Sequence, residues 1–440
     1  MKTVLSNVAA VAMMFASLSA AAHDQIPGAP QSHPIALVDG TVHTIDGETI
    51  ENGIVVFADG KITAVGSDVE LPENCESISI EGQHVYPGLM ESMSNLGLSE
   101  IGSTRSTIDT DEVGSENGNL NPHVAVNPDS ELIPVARSNG VLLASIAPRR
   151  GEIRGQSSVI QLDGWTNQDM LLAADTGLVV SWRAFDSGNR NDGDRAKQRD
   201  ERLQQLADRL DEARRYAAAR TASPETTPTD LRLESLIKVI EGKCPMIVDA
   251  DDRREIEAAV AFCVGQNIRP IIYGGYDAPQ CAEMLKRCSV PVIIHSTYRL
   301  PARRDDAYDA PYTLPLRLYE AGVTFAIGGP GSGSPGGGSA AGNLPYHAAV
   351  AVAYGLPADE AVRAITLSPC EIMGIADRVG SITPGKDATL FVSNGDILQT
   401  ESNVTRAFVA GAEVDLGSKH KTLAEKYRIK YRRQGKLPTP

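Results

Sequence analysis

The sequence predicts an α/β fold in which a TIM-like (β/α)8 barrel carries a composite β-sandwich built by both ends of the chain. Two patterns point to it. Between residues 85 and 379, short apolar runs rich in Val, Ile and Leu alternate with amphipathic segments, as in a parallel sheet covered by helices. Before that region, and again after residue 380, β-branched runs are broken by Asx-Gly or Gly turn signals and read as hairpins. Neither terminal unit can bury a core alone, so the two are expected to pair across the domain between them.

Taken in order, residues 34–84 hold short strands around 35–38, 41–45, 54–57 and 62–65. Asp39-Gly40, Asp46-Gly47, Asn52-Gly53 and Asp59-Gly60 punctuate them. A strand starts at Leu89. Asp129-Ser130 can cap a helix running to Ser138, and Gly140 opens a strand over 141–146. Further strands are expected at 158–162, 178–182, 246–250, 271–273, 290–294 and 323–327, about eight in all, which suits a (β/α)8 barrel. Helices are expected over 231–240 and near 254–266, 278–287 and 312–321.

Two insertions interrupt the barrel. Residues 195–220 form a charged helix with Leu203, Leu206, Leu210, Ala213 and Ala217 at three-to-four spacing, read as one amphipathic helix lying on the barrel. Residues 328–342, GGPGSGSPGGGSAAG, are too glycine-rich to pack and read as a mobile lid over the strand ends. No Gly-Lys-Ser/Thr follows, so this is not a phosphate loop. The second half of the sandwich runs from 380 to 416, and 417–440 is a basic tail.

The chain has 440 residues and a net charge of −15, so nothing in its bulk electrostatics favours nucleic acid or an anionic membrane surface, and no nucleic-acid partner is expected. The tail is the exception, with eight Lys/Arg against one Glu between residues 419 and 436, and it reads as a solvated terminal helix. At the other end, Lys2, an apolar run over 8–18 and Ser19-Ala20-Ala21-Ala22 read as a signal peptide over residues 1–22, so the product is expected to be periplasmic or secreted. Residues 23–33 read as a disordered lead. No later window is apolar enough for a transmembrane helix. The six cysteines show no C-x-x-C pair and no zinc spacing; most read as small buried residues, with some pairing left open.

The chemistry centres on residues 85–101, VYPGLMESMSNLGLSEI. Tyr86-Pro87-Gly88 is a turn signal, Leu89-Met90 a short apolar run, and Glu91, Ser92, Met93, Ser94 and Asn95 then alternate along a strand end. This stretch resembles the amidohydrolase superfamily, in particular its imidazolonepropionase-like members, where the same place reads Pro-Gly-Leu-Ile-Asp-x-His-x-His. Residues 380–392, GSITPGKDATLFV, are similar to the family's second sandwich segment, with Thr389 in place of the usual Asp. The resemblance implies a barrel beside a sandwich made of both chain ends. It also implies a divalent metal whose bound hydroxide hydrolyses C–N bonds of amides and cyclic ureides. The implied ligands are His-x-His on the first strand, Lys or Glu on the fourth, His on the fifth and sixth, and Asp on the eighth.

Most of those positions are substituted here. The two first-strand histidines are replaced by Met93 and Asn95, which cannot serve as two imidazoles would. The fourth strand ends at Ser181-Trp182 without a lysine. The fifth carries Asp249 in the histidine position, the sixth ends in Gly274-Gly275, and the eighth runs into Gly328-Gly329. Of eight histidines, only His123, His295 and His347 fall in the barrel.

Candidate pocket residues are therefore Asp249, His295, Glu91, Asn95 and Asp305, with His295 either lining the pocket or serving as a core histidine. Asp305 and its neighbours face Arg303-Arg304, and mutual ion pairing is the plainer reading. No nucleophile elbow, dinucleotide fingerprint or Cys–His pairing appears. The expected function is that of an exported family member, a hydrolase of C–N bonds by resemblance, with a degenerate metal site and no bound cofactor. The alternative is a metal-free protein of the cell envelope that binds a small polar molecule or acts as a scaffold. A homo-oligomer is left open.

Overall fold

The computed structural model describes residues 24–182, 192–331 and 337–438. Residues 1–22, expected to be a signal peptide, lie outside the described residues. One sheet collects β1 (Ile35–Val42), β2 (Ile50–Ala58), β3 (Lys61–Gly66), β4 (Glu76–Ser79) and β5 (His84–Pro87) from the start of the chain. To these it adds β14 (Leu390–Ser393), β15 (Val404–Val409) and β16 (Ala412–Glu413) from the end. Its order is β16-β15-β14-β5-β1-β2-β3, with β4 beside β1. At the β2–β3 turn, Asp59 and Gly60 have φ of 50° and 76°, the positive pair that a tight hairpin demands.

The two chain ends meet where β14 runs antiparallel to β5, pairing Leu390 with Pro87 and Ser393 with His84. Leu37, Val55, Phe57, Ile62 and Val85 from the first part share one core with Leu390, Val392 and Phe408 from the second. The Phe57 and Phe408 rings meet edge to face at 5.0 Å. Thr389, the departure from the family's Asp, is buried and accepts the Ala410 N–H at 3.1 Å.

β5 continues through Gly88 into the barrel, so the sheet domain and the first barrel strand form one nearly continuous run. The barrel strands are β6 (Leu89–Ser94), β7 (Val141–Ile146), β8 (Ile153–Gln161), β9 (Leu171–Ser181), β10 (Met246–Ala250), β11 (Pro270–Gly274), β12 (Val292–Ile294) and β13 (Phe325–Ile327). They lie side by side in chain order.

One feature departs from an all-parallel barrel: β8 is antiparallel to both β7 and β9. Only residues 147–152 join β7 to β8 and only 162–170 join β8 to β9. A parallel crossover needs about a dozen residues or more, so these connections can only make hairpins. At the seam between β13 and β6 a piece of backbone is wedged in. The Met90 N–H donates to the Ile365 carbonyl and the Ile327 N–H to the Ala364 carbonyl, both at 2.9 Å.

The charged insertion is a helix, Asp192–Ala222, with Leu206, Leu210 and Ala213 buried against the barrel. Arg209 pairs with Glu116 and Arg214 reaches the Gln266 carbonyl, so the helix is fastened as well as packed. The lead is not loose: the Gly28 N–H donates to Asp163 Oδ2 at 3.0 Å, Arg137 donates to the Asp24 carbonyl, and Gln31 bonds the Phe57 carbonyl. Its Pro and Gln residues suggest disorder only when the buried Arg137–Asp163 pair beneath it is unknown. All six cysteines are free, four of them buried. Among the described residues no helix is long and apolar enough to cross a membrane.

Asp387 ties the two chain ends electrostatically. Its buried carboxylate meets Lys61 Nζ at 2.5 Å and Arg378 Nη2 at 3.0 Å. Both cations are about half exposed and can turn to water, so Asp387→Ala is predicted to cost only about 1–2 kcal/mol of stability in urea unfolding.

Candidate active site

Side chains alternate across each barrel strand, so the inward set follows by steps of two. Val179, Ile247, Ile271 and Ile293 pack together in the barrel interior with Met90, Met93 and Leu143. Two residues further towards the C-terminal ends come Ser181, Asp249, Tyr273 and His295, a polar layer at the mouth.

Glu91 lies at the seam, 2% exposed. The Gly329 N–H donates to its Oε1 at 2.9 Å and Oε2 at 3.2 Å, and the N–H groups of Met93 and Ser92 also face the carboxyl. A Cβ at position 329 would stand 2.7 Å from Glu91 Oε2, so glycine is required for this approach. Burial pushes the Glu91 carboxyl up to about 7, opposed by those N–H donors.

Met93 and Asn95, the His-x-His positions, have separate tasks. Met93 is 1% exposed and packed among apolar residues. Asn95 Oδ1 accepts the Gly338 N–H at 2.6 Å.

Asp249 is engaged by a residue that sequence reasoning missed. Arg154 reaches in from the antiparallel strand, its Nη2 donating to Asp249 Oδ2 at 2.6 Å and to Ser181 Oγ at 3.0 Å. The pair is nearly buried, with 9% and 14% of the two side chains exposed. The signal was an isolated Arg in IRGQSSVIQ. It was overlooked because the small and polar residues 153–157 gave no apolar run, so the strand was expected to begin at 158.

His295 stands beside Tyr273, ring centroids 5.5 Å apart and edge to face. Its Nε2–H donates to the Pro330 carbonyl, and burial holds the imidazole below its usual range, hence neutral at pH 7. His347 sits behind it, 2% exposed, with Nδ1 3.2 Å from Thr297 Oγ1 and its pKa lowered to about 4 by burial and then by His295. His123 is a hydrogen-bonded core histidine, 3.0 Å from Ser158 Oγ.

The glycine segment is not a free lid along its whole length. Gly328, Gly329 and Gly331 on one side and Gly337 and Gly338 on the other are buried, and residues 332–336 lie outside the described residues. Gly331, at φ 75°, lies so close to Tyr273 and His295 that a Cβ would meet Tyr273 Oη at 1.7 Å. Composition promised mobility. The hydrogen bonds from Glu91 and Asn95 hold the two ends instead.

Asp305 is exposed and stands outside this cluster. Its neighbours do pair: Arg303 Nη1 donates to Asp277 Oδ1 at 3.0 Å, and Tyr276 Oη donates to Asp306 Oδ2 at 2.8 Å. Closer to the mouth, Asp251 Oδ2 accepts from Arg299 at 3.2 Å. A cavity of about 610 Å³ opens at the other end of the barrel, near Pro245, Pro270 and Pro291 at the strand starts, away from these groups.

Among the described residues no three His, Cys, Asp or Glu side chains converge as ligands. Asp249, in a position that the resemblance assigns to a ligand, faces the Arg154 guanidinium.

Comparisons with known proteins agree with the architecture. Residues 280–414 match the amidohydrolase family. An amidohydrolase from Thermotoga maritima MSB8 superposes with a TM-score of 0.76 at 24% identity, covering 87% of this chain and 99% of that one. Over residues 280–414 the chain is similar to the amidohydrolase family, and it shares the fold of a solved amidohydrolase. Amidohydrolase tasK of Hapsidospora irregularis is 23% identical over 401 residues, which is 82% of this chain and 39% of that protein, so the chain spans about two fifths of that relative's length. Molinate hydrolase shares the fold at a TM-score of 0.53 and 14% identity, over 88% of this chain and 95% of its own.

The raised Glu91 pKa has a stability consequence with a definite sign. The folded state holds this proton up to about pH 7 while the unfolded chain releases it near 4.5, so stability is highest below that range and falls as pH rises through 7. Glu91→Gln cannot ionise. Urea unfolding should find its stability profile flattened across that pH range relative to wild type.

Proposed function

We propose that this amidohydrolase-superfamily chain is an exported protein whose barrel mouth no longer hosts a divalent metal, and that it binds or scaffolds rather than hydrolyses C–N bonds of amides or cyclic ureides. The observation that carries the reading is the Arg154–Asp249 pair at 2.6 Å. A nearly buried carboxylate in a ligand position already has its cation, and a metal would have to displace a guanidinium that has few other partners. Met93 in apolar packing and Asn95 committed to Gly338 support the same reading. Neutral His295, Tyr273 and the Asp251–Arg299 pair leave polar groups suited to a small polar ligand. The apolar run over residues 8–18 and the small residues after it support export.

The purified protein, dialysed and analysed for elements, should carry far less than one zinc, manganese or iron per chain. Added metal should evoke no turnover in a screen of cyclic amides and ureides. About one tightly held ion per chain together with metal-dependent turnover would favour a hydrolase with relocated ligands and overturn the proposal. Amino-terminal sequencing of the same preparation, taken from the periplasmic fraction, should begin near residue 22 or 23; an intact Met1 would remove the export reading.

A further inference from the structure

We propose that the carboxyl-terminal helix, Lys419–Arg433, is a docking element for an anionic lipid surface. It leaves the body at Ser418, which is 1% exposed and caps the helix through the Lys421 N–H at 3.3 Å. Beyond that point none of its 15 residues is buried. An isolated helix of about this length is marginal in water, so one that packs on so little of its own fold gains stability from an outside surface.

Leu423, Tyr427 and Tyr431, spaced four apart, form one stripe, exposed to 40%, 47% and 40%. Cations flank it. Lys430 Nζ lies 5.6 Å from the Tyr427 ring centre and 5.9 Å from that of Tyr431, and Lys436 lies 5.9 Å from Tyr431. Lys419 continues that edge, and Arg428 stands on the other.

Charge decides between occupants. The segment from 419 to 436 holds eight Lys/Arg and one Glu in a chain whose net charge is −15, so positive charge is concentrated on a helix none of whose residues is buried. Pairing two such stripes from two copies would bring like charges together. A lipid interface takes Tyr rings and a Leu side chain at headgroup depth while Lys and Arg reach up to the phosphates. Each cation near such a surface adds attraction that fades within a Debye length, so the acidic body, held off by the helix, opposes it only weakly.

The full chain is tested by vesicle co-flotation, using phosphatidylcholine alone and phosphatidylcholine mixed in equal parts with phosphatidylglycerol. Binding is expected to the mixed vesicles only, and to be lost in high salt. Combined Leu423→Ser, Tyr427→Ser and Tyr431→Ser should lower partitioning by more than about tenfold with the unfolding midpoint of the body unchanged. Failure to bind the mixed vesicles, equal binding to neutral ones, or full binding by the triple variant overturns the proposal. So does a concentration-dependent dimer in sedimentation, lost in the triple variant without vesicle binding, which would assign the stripe to a second copy.

Discussion

A carboxyl group buried at the end of the first barrel strand constrains much of what surrounds it. Glu91 is 2% exposed and is held by backbone N–H groups from Ser92, Met93 and Gly329. Donors of that kind must come very close, which demands glycine at 329 and fixes where the last strand ends. The barrel seam and the start of the glycine segment thus meet around one acid, three residues beyond the Gly88 junction that joins β5 to β6. The cost of burying it is offset by backbone hydrogen bonds, while burial pushes its pKa up towards neutrality.

Charge in the rest of the mouth is balanced internally. Arg154 can reach Asp249 because the third barrel strand runs antiparallel and brings its own residues to the open end. A barrel strand in the usual direction would present different residues there. The outer loops repeat the pattern at the rim, with Arg299 on Asp251 and Arg303 on Asp277. These contacts make the strand ends and the loops above them a set of ion pairs within the chain. Near them sit His295, held neutral by burial, and a glycine segment pressed onto Tyr273.

Much of the fold was legible because its determinants are local. Asx-Gly turns such as Asp59-Gly60 state their own φ requirement, and the apolar runs announced all eight barrel strands. The direction of β8 was not legible, since a short strand looks the same either way; only the brevity of residues 147–152 signalled it. His295 was expected at the end of its strand and follows β12 directly, whereas Met93 was read only as a substituted ligand position and its place in the apolar interior was not foreseen. Arg154 escaped because its strand begins with small and polar residues. The anchored ends of the glycine segment escaped for another reason: flexibility is written in composition, whereas the acceptors at Glu91 and Asn95 lie more than two hundred residues away in sequence.

The account turns on whether the mouth is a closed set of internal contacts or an ion site. A metal that binds the folded state must stabilise it in proportion to its affinity. Thermal unfolding of the full chain should therefore have the same midpoint in excess EDTA as in excess zinc or manganese. A midpoint that rises by several degrees with either ion, and falls back when Asp249 is replaced by Ala, would contradict it.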